Sequence, residues 1–175
     1  MVSLFELKAF NRSPCSGFSF ILIDFLYYFS LLRIINMLGD LFYEAKGRIT
    51  SKRILDLDGP KTESSYFLEG KMREIEVEEI GTFTSTPISH GLFYVEGKDI
   101  VTVKGSVDEM ATVKAQSISK LIRDSSKIVT GSNFYQSSNT GKLSFLNNLV
   151  GVHEASVDKD GHIIYKVWEW KPPNL

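Results

Sequence analysis

From Leu41 onward, apolar and polar residues alternate with a period of two, and short glycine-containing stretches interrupt the alternation. The pattern is clearest over residues 74–78, where Ile75 and Val77 alternate with glutamates. Successive side chains of a β-strand point to opposite faces, so this pattern indicates strands with one buried face and one face in water. A helix would leave no coherent apolar stripe over the same residues.

The alternation, together with the turn residues that separate its blocks, predicts eight strands. They span about residues 41–57, 62–72, 75–85, 92–104, 109–120, 127–136, 143–157 and 163–170. The connections are short, which favours antiparallel neighbours. We therefore predict an all-β domain that forms a single antiparallel eight-stranded barrel, with a β-sandwich as the alternative.

Three segments share a local pattern in which an aromatic residue and a glutamate shortly precede a glycine and a basic residue. The glycines are Gly47, Gly70 and Gly97. Glycine inside a strand lowers stability unless the backbone must bend or another chain segment must approach closely. The pattern therefore supports closure of a curved sheet, and eight strands match the size at which a barrel fills its own interior.

Residues 1–36 follow different rules, because they contain six of the twelve phenylalanines and the apolar run 18–29. As a membrane span, residues 18–32 offer 15 residues around Asp24, against the roughly 20 that a bilayer needs. As a signal peptide, the segment lacks the small-residue cleavage site that such peptides carry. We predict an N-terminal extension over residues 1–36 and a β-barrel domain over residues 37–175. The extension is interpreted as sequence upstream of a true start at Met37, as an uncleaved anchor helix, or as a helix docked on the barrel.

Composition limits the partners. The chain has 20 basic and 21 acidic residues, which lacks the basic excess that nucleic-acid binding uses. A single cysteine, Cys15, cannot form an internal disulfide, and no Cys/His cluster has zinc spacing. We expect no cofactor, no metal and no nucleic acid, a cytoplasmic location, and homo-oligomers as an option. Membrane attachment is expected only if residues 1–36 are a real anchor.

Catalytic signals are sparse. The chain has no G-x-S-x-G, P-loop or G-x-G-x-x-G pattern, so hydrolase and nucleotide-binding functions lose support. His153 and Glu154 are neighbours on a predicted strand and therefore leave opposite faces. The glutamates at positions 74, 76, 78 and 79 are interpreted as a solvated outer face rather than a cation site.

Seven residues are candidate ligand contacts. Asn147 and Asn148 lie between Leu146 and Leu149 and either close a loop through backbone hydrogen bonds or offer polar contacts at a barrel mouth. Trp168 and Trp170 share one face of the last strand and either pack in the core or wall a ligand cavity. The full set of candidates is Asn147, Asn148, His153, Tyr66, Phe83, Trp168 and Trp170.

Residues 38–50, 140–151 and 166–171 resemble segments of a family of small uncharacterised microbial proteins. The strand count and the loop Thr140-Gly141-Lys142-Leu143 are also similar to those of allene-oxide-cyclase-like barrels, which are related in architecture to lipocalins. That resemblance implies a barrel around an apolar ligand. It assigns no catalytic residue to this chain, because fold alone does not carry function.

These observations favour a barrel that binds a small apolar or amphipathic molecule, and they do not decide whether it is an enzyme. Two alternatives stay open: a structural or oligomerisation module with a solid interior, and an isomerase or cyclase. The last would need a polar group with a perturbed pKa inside a cavity, for which His153, Glu154 or Asn147 are the candidates.

Overall fold

The computed structural model describes residues 38–106 and 108–171. The predicted extension over residues 1–36, with its anchor and start-site interpretations, lies outside the described residues. Among those residues, no helix combines the length and the apolar character needed to cross a membrane.

Eight antiparallel strands close into a barrel in which each strand pairs with its neighbours in sequence and β1 pairs with β8. This confirms the predicted fold and excludes the sandwich. The strands are β1 (Leu38–Asp56), β2 (Lys61–Met72), β3 (Ile75–Ser89), β4 (Leu92–Val103), β5 (Met110–Leu121), β6 (Lys127–Ser137), β7 (Val150–Val157) and β8 (His162–Trp170).

The predicted seventh strand is wrong at its start. Residues 143–149 were expected to be extended, but Ser144–Asn148 forms a 3-10 helix and β7 begins at Val150. Leu143, Leu146 and Leu149 recur every three residues, and all three are buried. That spacing is the period of a 3-10 helix and not of a strand, which explains the difference.

Two of the strand glycines lie where neighbouring strands approach closely. A Cβ at Gly47 would lie 1.9 Å from the carbonyl oxygen of Phe67, and a Cβ at Gly70 would lie 2.1 Å from that of Glu44. Any side chain at these positions would push the β1–β2 backbones apart. The absence of a side chain at Gly47 and Gly70 lets the sheet coil tightly enough to close.

The two ends of the barrel differ. The closed end carries the β2–β3, β4–β5 and β6–β7 connections, and there the 3-10 helix packs its leucines against apolar side chains of the barrel, among them Phe42, Met72, Val103 and Ala111. The open end carries the β1–β2, β3–β4, β5–β6 and β7–β8 connections. The interior cluster of apolar side chains thus plugs one end and leaves room towards the other.

Candidate functional site

A cavity of about 110 Å³ lies inside the barrel towards the open end. Its walls are mainly apolar, with contributions from Tyr66, Phe83, Val95, Val129, Val157 and Ile163. Polar atoms reach it from Ser85, Ser117, Ser119, Lys127 and His153. An apolar pocket with a few placed polar groups is the usual form of a small-molecule site.

Lys127 begins β6 and is the cation at the rim of this cavity. Its ammonium nitrogen lies 5.3 Å from the centre of the Phe93 ring. Burial, and then the positive charge of Lys52, lower the pKa of Lys127. None of the ion pairs among the described residues involves Lys127. The rim therefore presents a partly desolvated positive charge, which an anionic group would stabilise.

A line of hydrogen bonds runs across three adjacent strands on the cavity wall. Ser117 Oγ on β5 lies 2.9 Å from His153 Nε2 on β7, and His153 Nδ1 lies 2.7 Å from Asn133 Oδ1 on β6. Gly131 of β6 stands between Ser117 and His153 in the register. A Cβ on Gly131 would lie 2.6 Å from Ser117 Oγ, so the glycine lets the two side chains meet across the middle strand.

The same network sets the protonation of His153. The Asn133 amide nitrogen donates to the hydroxyl oxygens of Tyr135 at 2.9 Å and Tyr165 at 2.6 Å. Both amide hydrogens are then used, so the amide oxygen accepts from His153 Nδ1. Nε2 keeps its lone pair and accepts from the Ser117 hydroxyl. Burial lowers the pKa of His153 to about 4, so the ring is neutral at pH 7.

Two buried carboxyl groups, those of Glu79 and Asp99, also lie inside the barrel. The Tyr43 hydroxyl donates to Glu79 Oε2 at 2.7 Å, and the Tyr66 hydroxyl donates to Glu79 Oε1 at 3.2 Å. Burial raises the pKa of Glu79 to about 7. Burial and the charge of Glu79 raise the pKa of Asp99 to about 8, and its Oδ1 is a buried oxygen without a hydrogen-bond partner among the described residues.

Three of the seven predicted ligand contacts line the cavity, namely Tyr66, Phe83 and His153. Trp168 and Trp170 do not, and they are not in the core either. Val167 and Tyr165 point into the barrel and are buried, so the even-numbered residues of β8 face outward. Trp170 is 44% exposed.

Asn147 and Asn148 also lie away from the cavity. Asn147 Oδ1 accepts from the Ser137 backbone N–H at 2.7 Å, and Asn147 Nδ2 donates to the Ser137 carbonyl oxygen at 3.1 Å. The loop-closing interpretation is therefore confirmed for Asn147, whereas Asn148 is exposed. Of the residues named for an isomerase, Glu154 is exposed and faces outward on β7, opposite to His153.

Ser117, Asn133, Lys127 and the two buried carboxyls were not predicted from the sequence. Glu79 was assigned to the solvated face, but it is 2% exposed and points inward. Glu78 and Glu79 are adjacent in a strand, so only one of them can face water. That parity was the available signal, and the alternation of Ile75 and Val77 already marked odd positions as inward.

The fold and cavity define a small closed eight-stranded β-barrel protein with a polar network inside. No protein-family model and no curated protein matches the chain. Several solved structures share the fold. A protein of unknown function from Clostridium acetobutylicum ATCC 824 has a TM-score of 0.64 at 8% identity, covering 75% of this chain and 98% of its own. A conserved protein of unknown function from Rhodopseudomonas palustris has a TM-score of 0.61 at 12% identity, covering 74% and 95%.

Proposed function

We propose that this protein binds a small amphipathic carboxylate, with the apolar part in the barrel cavity and the carboxylate at Lys127. The observation that carries the proposal is the combination of an apolar cavity of about 110 Å³ with a half-buried ammonium group at its rim. A carboxylate there would offset the cost of desolvating the lysine. The remaining wall can pack against a short hydrocarbon chain or a small ring.

The cavity volume limits the size of the ligand. An apolar protein cavity of about 150 Å³ holds one benzene molecule, and larger ligand pockets run from about 300 Å³ upward. A tail of about four to six carbon atoms therefore fits best. Barrels of the allene-oxide-cyclase and lipocalin type, which the sequence resembles in strand count and in one loop, also hold apolar ligands, but this cavity favours a smaller one. A cytoplasmic location is part of the same proposal.

Titration calorimetry with a series of straight-chain carboxylates at pH 7 tests the proposal. We expect affinity to pass through a maximum at intermediate chain length, because longer tails overfill the cavity. Lys127→Met keeps the length of the side chain and removes the charge, so carboxylate affinity should fall about tenfold or more. The matching uncharged alcohols should bind both proteins equally.

Lys114→Met is the control, because Lys114 is an exposed, outward-facing lysine of β5. It should leave carboxylate binding unchanged. If neither acids nor alcohols bind, or if Lys114→Met and Lys127→Met have the same effect, the proposal is wrong.

A second candidate function, self-association, has its own observation. The outer face of β8 and the start of β1 carry apolar residues in register: Leu38 pairs with Trp170, and Leu41 pairs with Trp168. Leu38, Leu41 and Trp170 are exposed, and Trp168 is half-buried. Exposed apolar patches of this kind are typical of interaction surfaces. Sedimentation equilibrium of the chain and of Trp170→Lys tests it, since a homo-oligomer should dissociate in the variant and a monomer should be unaffected.

A further inference from the structure

Ser117, His153 and Asn133 have the relative arrangement of a nucleophile, a general base and an orienting group. The hydroxyl donates to Nε2 of a neutral imidazole, whose Nδ1–H is held by a carbonyl oxygen. This is the geometry that activates a serine for attack on a carbonyl carbon. Ser117 and His153 both line the cavity, so a bound molecule can reach the hydroxyl.

We propose that Ser117 is an acyl-accepting nucleophile for small esters that enter the barrel cavity. The inference rests on the proposed function, because the acyl group would occupy the space assigned to the apolar tail. It also adds a covalent step, which simple ligand binding does not require.

The step balances without any further reactant. Ser117 Oγ forms a bond to the carbonyl carbon as its proton moves to His153 Nε2. The bond from that carbon to the alcohol oxygen then breaks, and the alcohol leaves with the proton from Nε2. The products are an acyl ester on Ser117, a neutral alcohol and His153 in its original form. Water can later hydrolyse the acyl ester by the same route in reverse order.

Turnover should be slow, for a reason visible in the fold. Ser117 lies in the middle of β5, which is paired with β4 and β6 on both sides, so its backbone N–H is not presented to a developing oxyanion. Each missing oxyanion donor costs a factor of about 10²–10³ in rate. We therefore expect a single acylation that accumulates with an activated ester, and not rapid hydrolysis.

The test is incubation of the full chain with trifluoroethyl acetate, an activated ester small enough for the cavity, at pH 7.5, followed by intact mass measurement and peptide mapping. We expect a gain of one acetyl group on the peptide that contains Ser117. Mapping separates this product from acetylation of lysines or Cys15. Ser117→Ala should remove the label, and His153→Gln should slow labelling at least tenfold, since general-base catalysis contributes about 10²–10⁴.

Ser156→Ala is the control. Ser156 lies on β7, three residues after His153, and faces outward, because His153 and Ala155 are the neighbouring positions that line the cavity. The Ser156→Ala variant should be labelled at Ser117 like the unmodified protein. Ser117→Cys keeps a nucleophile in place, so it should be labelled at position 117 even if Ser117→Ala fails to fold.

Labels on lysines alone, or equal labelling of the unmodified chain and Ser117→Ala, would overturn the inference. Carboxylate binding measured by calorimetry on the same samples separates the two proposals. If the unmodified protein binds carboxylates but is not acylated, only the proposal that Ser117 is a nucleophile is wrong. If the unmodified protein does not bind carboxylates at all, the proposed cavity site is wrong as well.

Discussion

The closed and open ends of the barrel are built from the same alternating strands, yet only one is filled. At the closed end the 3-10 helix inserts Leu146, which is fully buried, among large apolar side chains of the barrel. At the open end the inward positions of β4 and β5 are mostly small: Gly97, Ala115, Ser117 and Ser119. Side-chain volume, and not strand pattern, thus decides where a cavity forms.

Between the two ends lie the groups that a packed core would avoid. Glu79 and Asp99 are buried with no cationic partner among the described residues, and the hydroxyls of Tyr43 and Tyr66 donate to Glu79. Buried carboxyls of this kind lower stability unless they are neutral. Proteins retain such groups where function requires them, and here they lie close to the floor of a cavity.

The largest expected effect is on the closed end. Leu146→Ala should lower the free energy of unfolding by about 2–5 kcal/mol, because it opens a hole in a tightly packed plug. Leu57→Ala removes the same atoms from a residue that is 79% exposed, so it should change stability by less than about 0.5 kcal/mol. Urea unfolding monitored by tryptophan fluorescence measures both. Equal effects would mean that the plug is not a packed region.

The buried groups Glu79, Asp99 and His153 should make the free energy of unfolding depend on pH. Burial raises the pKa of Glu79 to about 7 and of Asp99 to about 8, so the folded protein keeps protons that the unfolded chain releases. Stability is therefore highest below the unfolded pKa values and falls until pH passes the folded ones. His153, whose folded pKa is about 4, has the opposite effect as pH falls from its unfolded value of about 6.5. Because His153 offsets only one of the two carboxyls, net stability should already fall from about pH 4.5, should fall most steeply between about pH 6.5 and 7, and should level off above about pH 8.

Glu79→Gln and Asp99→Asn should each flatten this part of the curve. The control is Glu78→Gln, since Glu78 is the neighbour on the outer face of β3 and pairs with Lys104 at 3.8 Å. Thermal unfolding at a series of pH values gives the comparison. An unchanged slope in Glu79→Gln and Asp99→Asn would show that neither carboxyl is protonated in the folded protein.

Substitution of two alanines of β5, one at each end, compares how tightly the two ends of the barrel are packed. Ala111 is 1% exposed in the closed end, whereas Ala115 lines the cavity. Ala111→Val should cost about 1–3 kcal/mol through overpacking, and Ala115→Val should stay within about 0.5 kcal/mol because its methyl groups enter empty space. The second variant should nevertheless weaken carboxylate binding. Chemical denaturation and calorimetry together check both expectations, and a costly Ala115→Val would argue that the cavity is smaller than described.

The smallest effect concerns the loop that carries the plug. Asn147→Ala removes two hydrogen bonds to the Ser137 backbone and should cost about 1–2 kcal/mol. Asn148→Ala, at the exposed neighbour, should have almost no effect. Thermal unfolding of the two variants measures the difference. Equal losses of stability in Asn147→Ala and Asn148→Ala would contradict the structural role given to the Asn147 amide.

Much of the fold was predictable from the sequence, because period-two alternation and turn residues depend on local physics. The inward face of β3 follows from Ile75 and Val77, and the pairing of strands in sequence order follows from the short connections between them. The 3-10 helix was not predicted, because leucines at positions 143, 146 and 149 are also compatible with a buried strand. Their burial comes from packing against distant strands.

The candidate site was harder to predict, since it depends on residues that are far apart in the chain. His153 was identified, but its partners Ser117 and Asn133 lie 36 and 20 positions away. No local spacing encodes that meeting, which depends on the register of three strands and on the missing side chain of Gly131. Trp168 and Trp170 were misplaced because large aromatic residues pack in a core more often than they face outward.

The central claim is that the open end holds a small carboxylate, and a crystal structure grown with a bromine-tagged short-chain carboxylic acid tests it most directly. We expect one anomalous bromine peak inside the barrel among Phe83, Val95 and Val129, with the carboxylate against Lys127. A cavity that stays empty at saturating acid, or a bromine bound only on the outer surface, would contradict it.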